Sequence, residues 1–229
     1  MKRYFLFFLK MGIIFLSSFI LFSCAPKSPT MTLSGVDGQY TRIAVMPFQN
    51  TTPEDVANRV LFHDSDMMNL EEANAAENVV ATSFIDRLSQ NEKIDVIPVA
   101  DTYKLYRRIT TEAVPEGTSS GTEKERILRI GEELKADAIA VGYIYRFRER
   151  DGTPYAVKKP ASVAYEIKLF DGKTGLPVWY GTFDKTQRSL MENLFQLPAF
   201  LRGKGQWVTV KELTDEGMDQ LFKSFPLGR

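Results

Sequence analysis

From Tyr40 onward, apolar positions recur in two alternating rhythms. Arg42–Phe48 is a continuous apolar run stopped by Pro47 and a polar stretch, which predicts a buried strand. In Leu70–Gln90, Ala76, Val80, Phe84 and Leu88 return every fourth residue, the spacing of one helical face. Lys93–Val99 predicts a second strand that Pro98 ends or confines to an edge. Asp101 is then expected to cap a helix carrying Tyr103, Tyr106 and Ile109, and the polar loop Val114–Thr122 leads into a helix over Glu123–Leu134. That last helix should turn Ile127, Ile130 and Leu134 inward.

Beyond it the period falls to two. Asp137–Arg148 should place Ile139, Val141, Tyr143, Tyr145 and Phe147 on one face, and Ser162–Phe170 should do so with Val163, Tyr165, Ile167 and Leu169. Asp171–Gly175 predicts a turn, and Leu176–Phe183 a returning strand, so these three strands form an antiparallel meander. A mainly apolar segment, Leu190–Leu201, precedes a final helix, where Thr209 and Glu212 have capping-box spacing. The expected fold is a single α/β domain: a mixed sheet with a βαβα start, then a β-meander and C-terminal helices.

The first 23 residues follow another plan. Lys2 and Arg3 precede the apolar run Met11–Phe22, too short to cross a bilayer comfortably, and small residues follow. Leu21, Phe22, Ser23 and Cys24 resemble a bacterial lipobox, and Cys24 is the only cysteine. The resemblance implies a signal peptide over 1–23, cleavage before Cys24, and a diacylglycerol thioether with a further acyl chain such as palmitate. Residues 24–39, with two prolines and two glycines, read as a flexible tether ahead of a domain over 40–229. Ala25 after the cysteine, where Asp is the retention signal, points to outer-membrane sorting.

Charge and composition narrow the function. Basic and acidic residues number 29 each, but the leader holds three cations and no acid, so the remainder is near −3. Such a domain has no positive field to gather phosphates, which argues against nucleic acid. His63 is the only histidine and a single imidazole is thin for a metal site or a Ser-His-Asp set, so no catalytic residue, metal or cofactor is expected. Gly172-Lys173-Thr174 imitates the end of a phosphate loop, but Ile167 stands where the earlier glycine is required, and a strand follows instead of a helix. The pairs Glu71-Glu72 and Glu132-Glu133 sit adjacent on helices and read as solvated surface. Two stretches suggest partner surfaces. Arg146, Arg148, Arg150, Lys158 and Lys159 surround an expected hairpin tip at Gly152-Thr153-Pro154. Leu194, Phe195 and Phe200 belong to a segment that is apolar nearly all round, buried in its own core or on a partner.

The order of Ile43–Phe48, Ala136-Asp137-Ala138 leading to Gly142, and Asp171…Thr174-Gly175…Val178-Trp179 resembles the curli-secretion (CsgG-like) lipoprotein superfamily. That group includes the lipoprotein activators of penicillin-binding proteins and is related to the N-terminal domain of the TolB propeller protein. The resemblance spans about 42–183 and leaves the helical segment 190–229 unmatched. It implies a non-enzymatic binding or assembly module in the cell envelope, lipid-anchored at the outer membrane and facing the periplasm. An envelope protein partner is implied, sometimes with ring-forming homo-oligomers. The alternatives are a subunit of an outer-membrane secretion pore and, further off, an envelope enzyme built on carboxylates or His63.

Overall fold

A computed structural model describes residues 30–32, 40–50, 70–112, 122–187 and 207–226. The parallel core is β2 (Arg42–Val45), flanked by β4 (Asp95–Ile97) and β5 (Ala138–Arg148). Strand β5 continues antiparallel through β8 (Ser162–Asp171) to β9 (Pro177–Thr186), the predicted meander. At the far edge β1 (Thr30–Thr32) pairs antiparallel with β9, so part of the expected tether is a strand of the sheet. The order is β1-β9-β8-β5-β2-β4, with β3 (Gln49–Asn50) also parallel to β5. A short hairpin, β6 (Asp151–Gly152) and β7 (Val157–Lys159), joins β5 to β8.

Helices cover both faces. Helix α1 (Leu70–Ser89) and α4 (Val210–Leu221) lie on one, α2 (Val99–Glu112) and α3 (Glu123–Leu134) on the other. Strand β2 and the residue after it show why both are needed: Ile43 and Val45 enter the α1/α4 core, while Ala44 and then Met46 enter the α2/α3 core. The α1 face is the predicted one, with Ala76, Val80, Phe84 and Leu88 fully buried. Phe84 meets Phe48, Phe222 and Phe225 at ring-centre distances of 5.9, 5.6 and 5.8 Å. Trp179 packs edge-on against Phe225, and its Nε1 donates to Ser224 Oγ at 3.2 Å. Large side chains buried in this way each contribute about 1.5–3 kcal/mol. Polar contacts outside the core fix how α1 lies on α4: Ser83 Oγ donates to Asp215 Oδ1 (2.6 Å), and Arg87 reaches both Asp215 and Asp219.

The expected helix signals hold with one correction. Thr209 and Glu212 cap each other's backbone N–H groups at the start of α4, and Thr122 and Glu125 do so for α3. Helix α2 begins at Val99, so Asp101 lies in the first turn and not at the cap, its N–H donating to the Pro98 carbonyl.

Strand β5 departs from strict alternation. Ile139, Val141 and Tyr143 face α2 and α3 as expected, but the register with β8 shifts between Ile144 and Arg146. The extra residue, Tyr145, keeps Tyr143's side and donates to Glu166, which lies opposite Tyr143. Phe147 is thereby turned to the α1/α4 core.

The remaining sequence motifs knit one end of the sheet. Asp137 Oδ2 accepts from the Thr41 and Arg42 backbone N–H groups (3.2 and 3.0 Å) and from Thr41 Oγ1 (2.9 Å). Asp171 Oδ1 accepts from Lys173 N, Thr174 N and Thr174 Oγ1. Gly175, at φ +67°, completes the turn, so the Gly-Lys-Thr triplet is a hairpin.

Candidate functional site

Parallel strands leave their carboxyl ends open where successive crossovers pass to opposite faces, and ligands of open α/β sheets bind there. Here α1 connects β2 to β4 over one face, while α2 and α3 connect β4 to β5 over the other. A crevice of about 510 Å³ opens at the carboxyl ends of β2 and β4. Met46, Pro47 and Phe48 form its floor, the first turns of α2 supply Val99, Tyr103 and Tyr106, and α1 supplies Glu77.

Pro47 has no N–H to give a ladder, so the strand breaks after Met46 and resumes as β3 along Tyr143 and Ile144. The break lets Phe48 lie across Gly142, where a Cβ would come 2.4 Å from the ring. Gly142 is therefore a seat for Phe48. Tyr103 is 45% exposed at the mouth, with the Arg107 guanidinium 5.9 Å from its ring centre. A volume of this size suits a small ligand or a few side chains of a partner, and aromatic lining is typical of recognition.

The basic cluster is placed differently from expectation. Arg146 is buried, with Nε donating to Ser162 Oγ at 2.6 Å and NH2 bonded to the Asp184 carboxylate. Ser162 Oγ in turn shares a 2.6 Å hydrogen bond with Thr186 Oγ1. Arg146 is thus corrected from partner surface to internal cross-strand tie: the β5 bulge turns it toward β9, where a carboxylate satisfies it. Arg148, opposite Ser162, is half-buried. Along the same sheet face Lys168 pairs with Glu166 at 3.2 Å and lies over the Tyr143 ring. Lys158 and Lys159 are exposed, as is Tyr155 at the hairpin tip.

Of the carboxylate pairs, Glu133 bonds Arg108 of α2 and lies 3.4 Å from Arg129, a tie between helices. Cys24, Leu21, Phe22, Ser23, His63, Leu194, Phe195 and Phe200 lie outside the described residues. Among the described residues no group of three His, Cys, Asp or Glu side chains could hold a metal, and no helix is long and apolar enough to cross a membrane.

Three carboxyls sit below their ordinary range. Burial pushes Asp137, Asp171 and Asp215 upward, but hydrogen bonds outweigh it: from Thr41 and Arg42 at Asp137, from Thr174 and Lys173 at Asp171, and from Lys211 and Ser83 at Asp215. Burial, reinforced by Asp171, pushes the Tyr40 phenol up to about 12. All four are occupied with structural partners. Met46 and Phe48 read as core-strand residues in the sequence and also line the crevice, which the sequence signals only through a proline at or just after the end of each of two neighbouring parallel strands.

The chain is thus a single-domain mixed α/β protein with a crevice at its parallel strand ends. No protein-family model and no curated protein sequence matches it. Solved structures with a similar arrangement include the PelC dodecamer from Paraburkholderia phytofirmans, at 13% identity over 88% of this chain and 98% of that one, TM-score 0.45. Lipoprotein GNA1162 from Neisseria meningitidis aligns at 13% identity over 72% and 95%, TM-score 0.39. The LpoB C-terminal domain from Salmonella enterica aligns at 16% identity over 67% and 87%, TM-score 0.35.

Proposed function

We propose that this chain is an outer-membrane-anchored periplasmic lipoprotein that works as a non-enzymatic binding or assembly module of the cell envelope. The observation that carries the binding role is the crevice itself. Among the described residues its lining is mainly aromatic and aliphatic, with Glu77 the one carboxylate. Such a surface recognises apolar side chains of another protein. The leader ending at Cys24 and the resemblance to the curli-secretion superfamily support the envelope setting and a protein partner.

The secretion-pore reading needs strands that face lipid. Strands β5 and β8 have sufficient length, but Ala140, Ile144, Val163 and Tyr165 pack beneath α1 and α4. These two strands belong to the core.

The test is photo-crosslinking in living cells from a benzoyl-phenylalanine at position 103, with position 132 as a distal control. A discrete adduct with one envelope protein from 103 and none from 132 is expected. No adduct from 103, or the same smear from both positions, overturns the reading.

A further inference from the structure

We infer that the β6–β7 hairpin, with Tyr155 at its tip and Lys158 and Lys159 on its flank, docks on the anionic headgroup surface of the membrane that holds Cys24. The inference rests on the anchor reading above.

Strand β1 runs antiparallel to β9, with Thr30 opposite Gly181 and Thr32 opposite Trp179. Followed backwards from Thr30, the chain therefore points toward Thr186. Thr186 lies opposite Ser162, and Ser162 opposite Arg148. The hairpin is inserted between Arg148 and Ser162, at that same end of the sheet.

Six residue steps separate Thr30 from Cys24, which span roughly 20 Å when extended. Five strand residues beyond Gly181, roughly 17 Å of β9, lead to Thr186. The anchor can therefore come level with the base of the hairpin, whereas a tether running over all of 24–39 would have left the domain free to face any way.

Thr153 N donates to the Ala156 carbonyl at 2.8 Å, and Thr153 Oγ1 accepts from the Tyr155 and Ala156 N–H groups. Gly152, at φ +128°, permits the turn, and Trp207 N binds the Pro154 carbonyl at 2.7 Å, tying the tip to the body. These bonds hold outward a tyrosine that is 74% exposed. The cations nearby are Arg148, Arg150, Lys158 and Lys159 against Glu149 and Asp151. Glu149 accepts from the Val210 N–H at the start of α4 and Arg150 donates to the Trp207 carbonyl, while four cations against two acids leave an excess of two positive charges. An amphipathic aromatic beside lysines is the composition that settles at a headgroup layer.

The test uses the mature lipidated protein in vesicles of phosphatidylcholine with phosphatidylglycerol, carrying a headgroup-region quencher. Because Cys24 is consumed by lipid, Ala156→Cys or Lys173→Cys gives a single thiol for a fluorophore. Position 173 lies at the opposite end of β8, about 30 Å away along the strand. Quenching at 156 and none at 173 is expected. Lys158→Gln with Lys159→Gln should weaken docking roughly fivefold per lysine, and pure phosphatidylcholine should weaken it likewise. Equal or absent quenching at both positions, in protein that still floats with the vesicles, overturns the docking and leaves the anchor intact. Quenching at 156 that ignores both lysines and lipid charge overturns it as well. A bare thiol at Cys24 by mass analysis removes the anchor reading, and the docking with it.

Discussion

Gly131 of α3 rests against Gly172 of the β8–β9 turn so closely that a Cβ on Gly131 would lie 2.3 Å from the Gly172 carbonyl oxygen. Gly172 in turn donates its N–H to the Asp137 carbonyl at 2.8 Å. The obstacle is backbone held by its own hydrogen bond, so it cannot swing aside. Gly131→Ala should therefore destabilise the domain by about 1–3 kcal/mol, the usual cost of overpacking. Urea unfolding of the purified domain measures it; an unchanged midpoint would contradict the packing described.

Asp137 gathers two backbone donors and a hydroxyl at the start of β2, and Asp137→Asn should cost about 1–3 kcal/mol by weakening those contacts. Asp137, Asp171 and Asp215 all have folded values held below the ordinary carboxylate range. A depressed folded value stabilises above the unfolded value near 3.9 and is lost as pH falls through the folded one. Stability should be flat from neutrality to about pH 5 and drop below about pH 4. The Asn variant should drop less steeply in a urea titration across that range.

Arg146 and Lys158 were grouped as one basic cluster in the sequence, yet their removal should differ sharply. Losing Arg146 takes the guanidinium partner from the Asp184 carboxylate, while Ser162 keeps its hydrogen bond to Thr186. Arg146→Ala should cost about 3 kcal/mol, the lower end for buried pairs because Asp184 keeps solvent contact. Lys158→Ala, on the exposed hairpin, should stay within about 0.5 kcal/mol. Parallel thermal melts decide it; equal losses would place Arg146 on the surface after all.

Tyr103 and Phe84 separate recognition from folding. Phe84 is fully buried among three aromatic rings, so Phe84→Ala should cost about 3–5 kcal/mol. Tyr103 stands half-exposed at the crevice mouth, so Tyr103→Ala should leave the melt nearly unchanged while lowering partner capture. A large stability loss at Tyr103 would reclassify it as core.

Local rules determined a good deal of this molecule. The fourfold spacing of Ala76, Val80, Phe84 and Leu88, the Thr209–Glu212 cap and the Asp171–Gly175 turn depend on contacts a few residues apart, which the chain specifies directly. The class of fold followed from the change of period after Leu134. What tertiary structure decided were the quantities set by distant partners. The β5 bulge depends on pairing with β8, and it alone sends Phe147 to one core and Arg146 to Asp184. The crevice exists because Pro47 and Pro98, far apart in sequence, fall at the ends of neighbouring parallel strands. Thr30–Thr32 carries no pattern of its own and becomes a strand only because β9 offers it an unpaired edge.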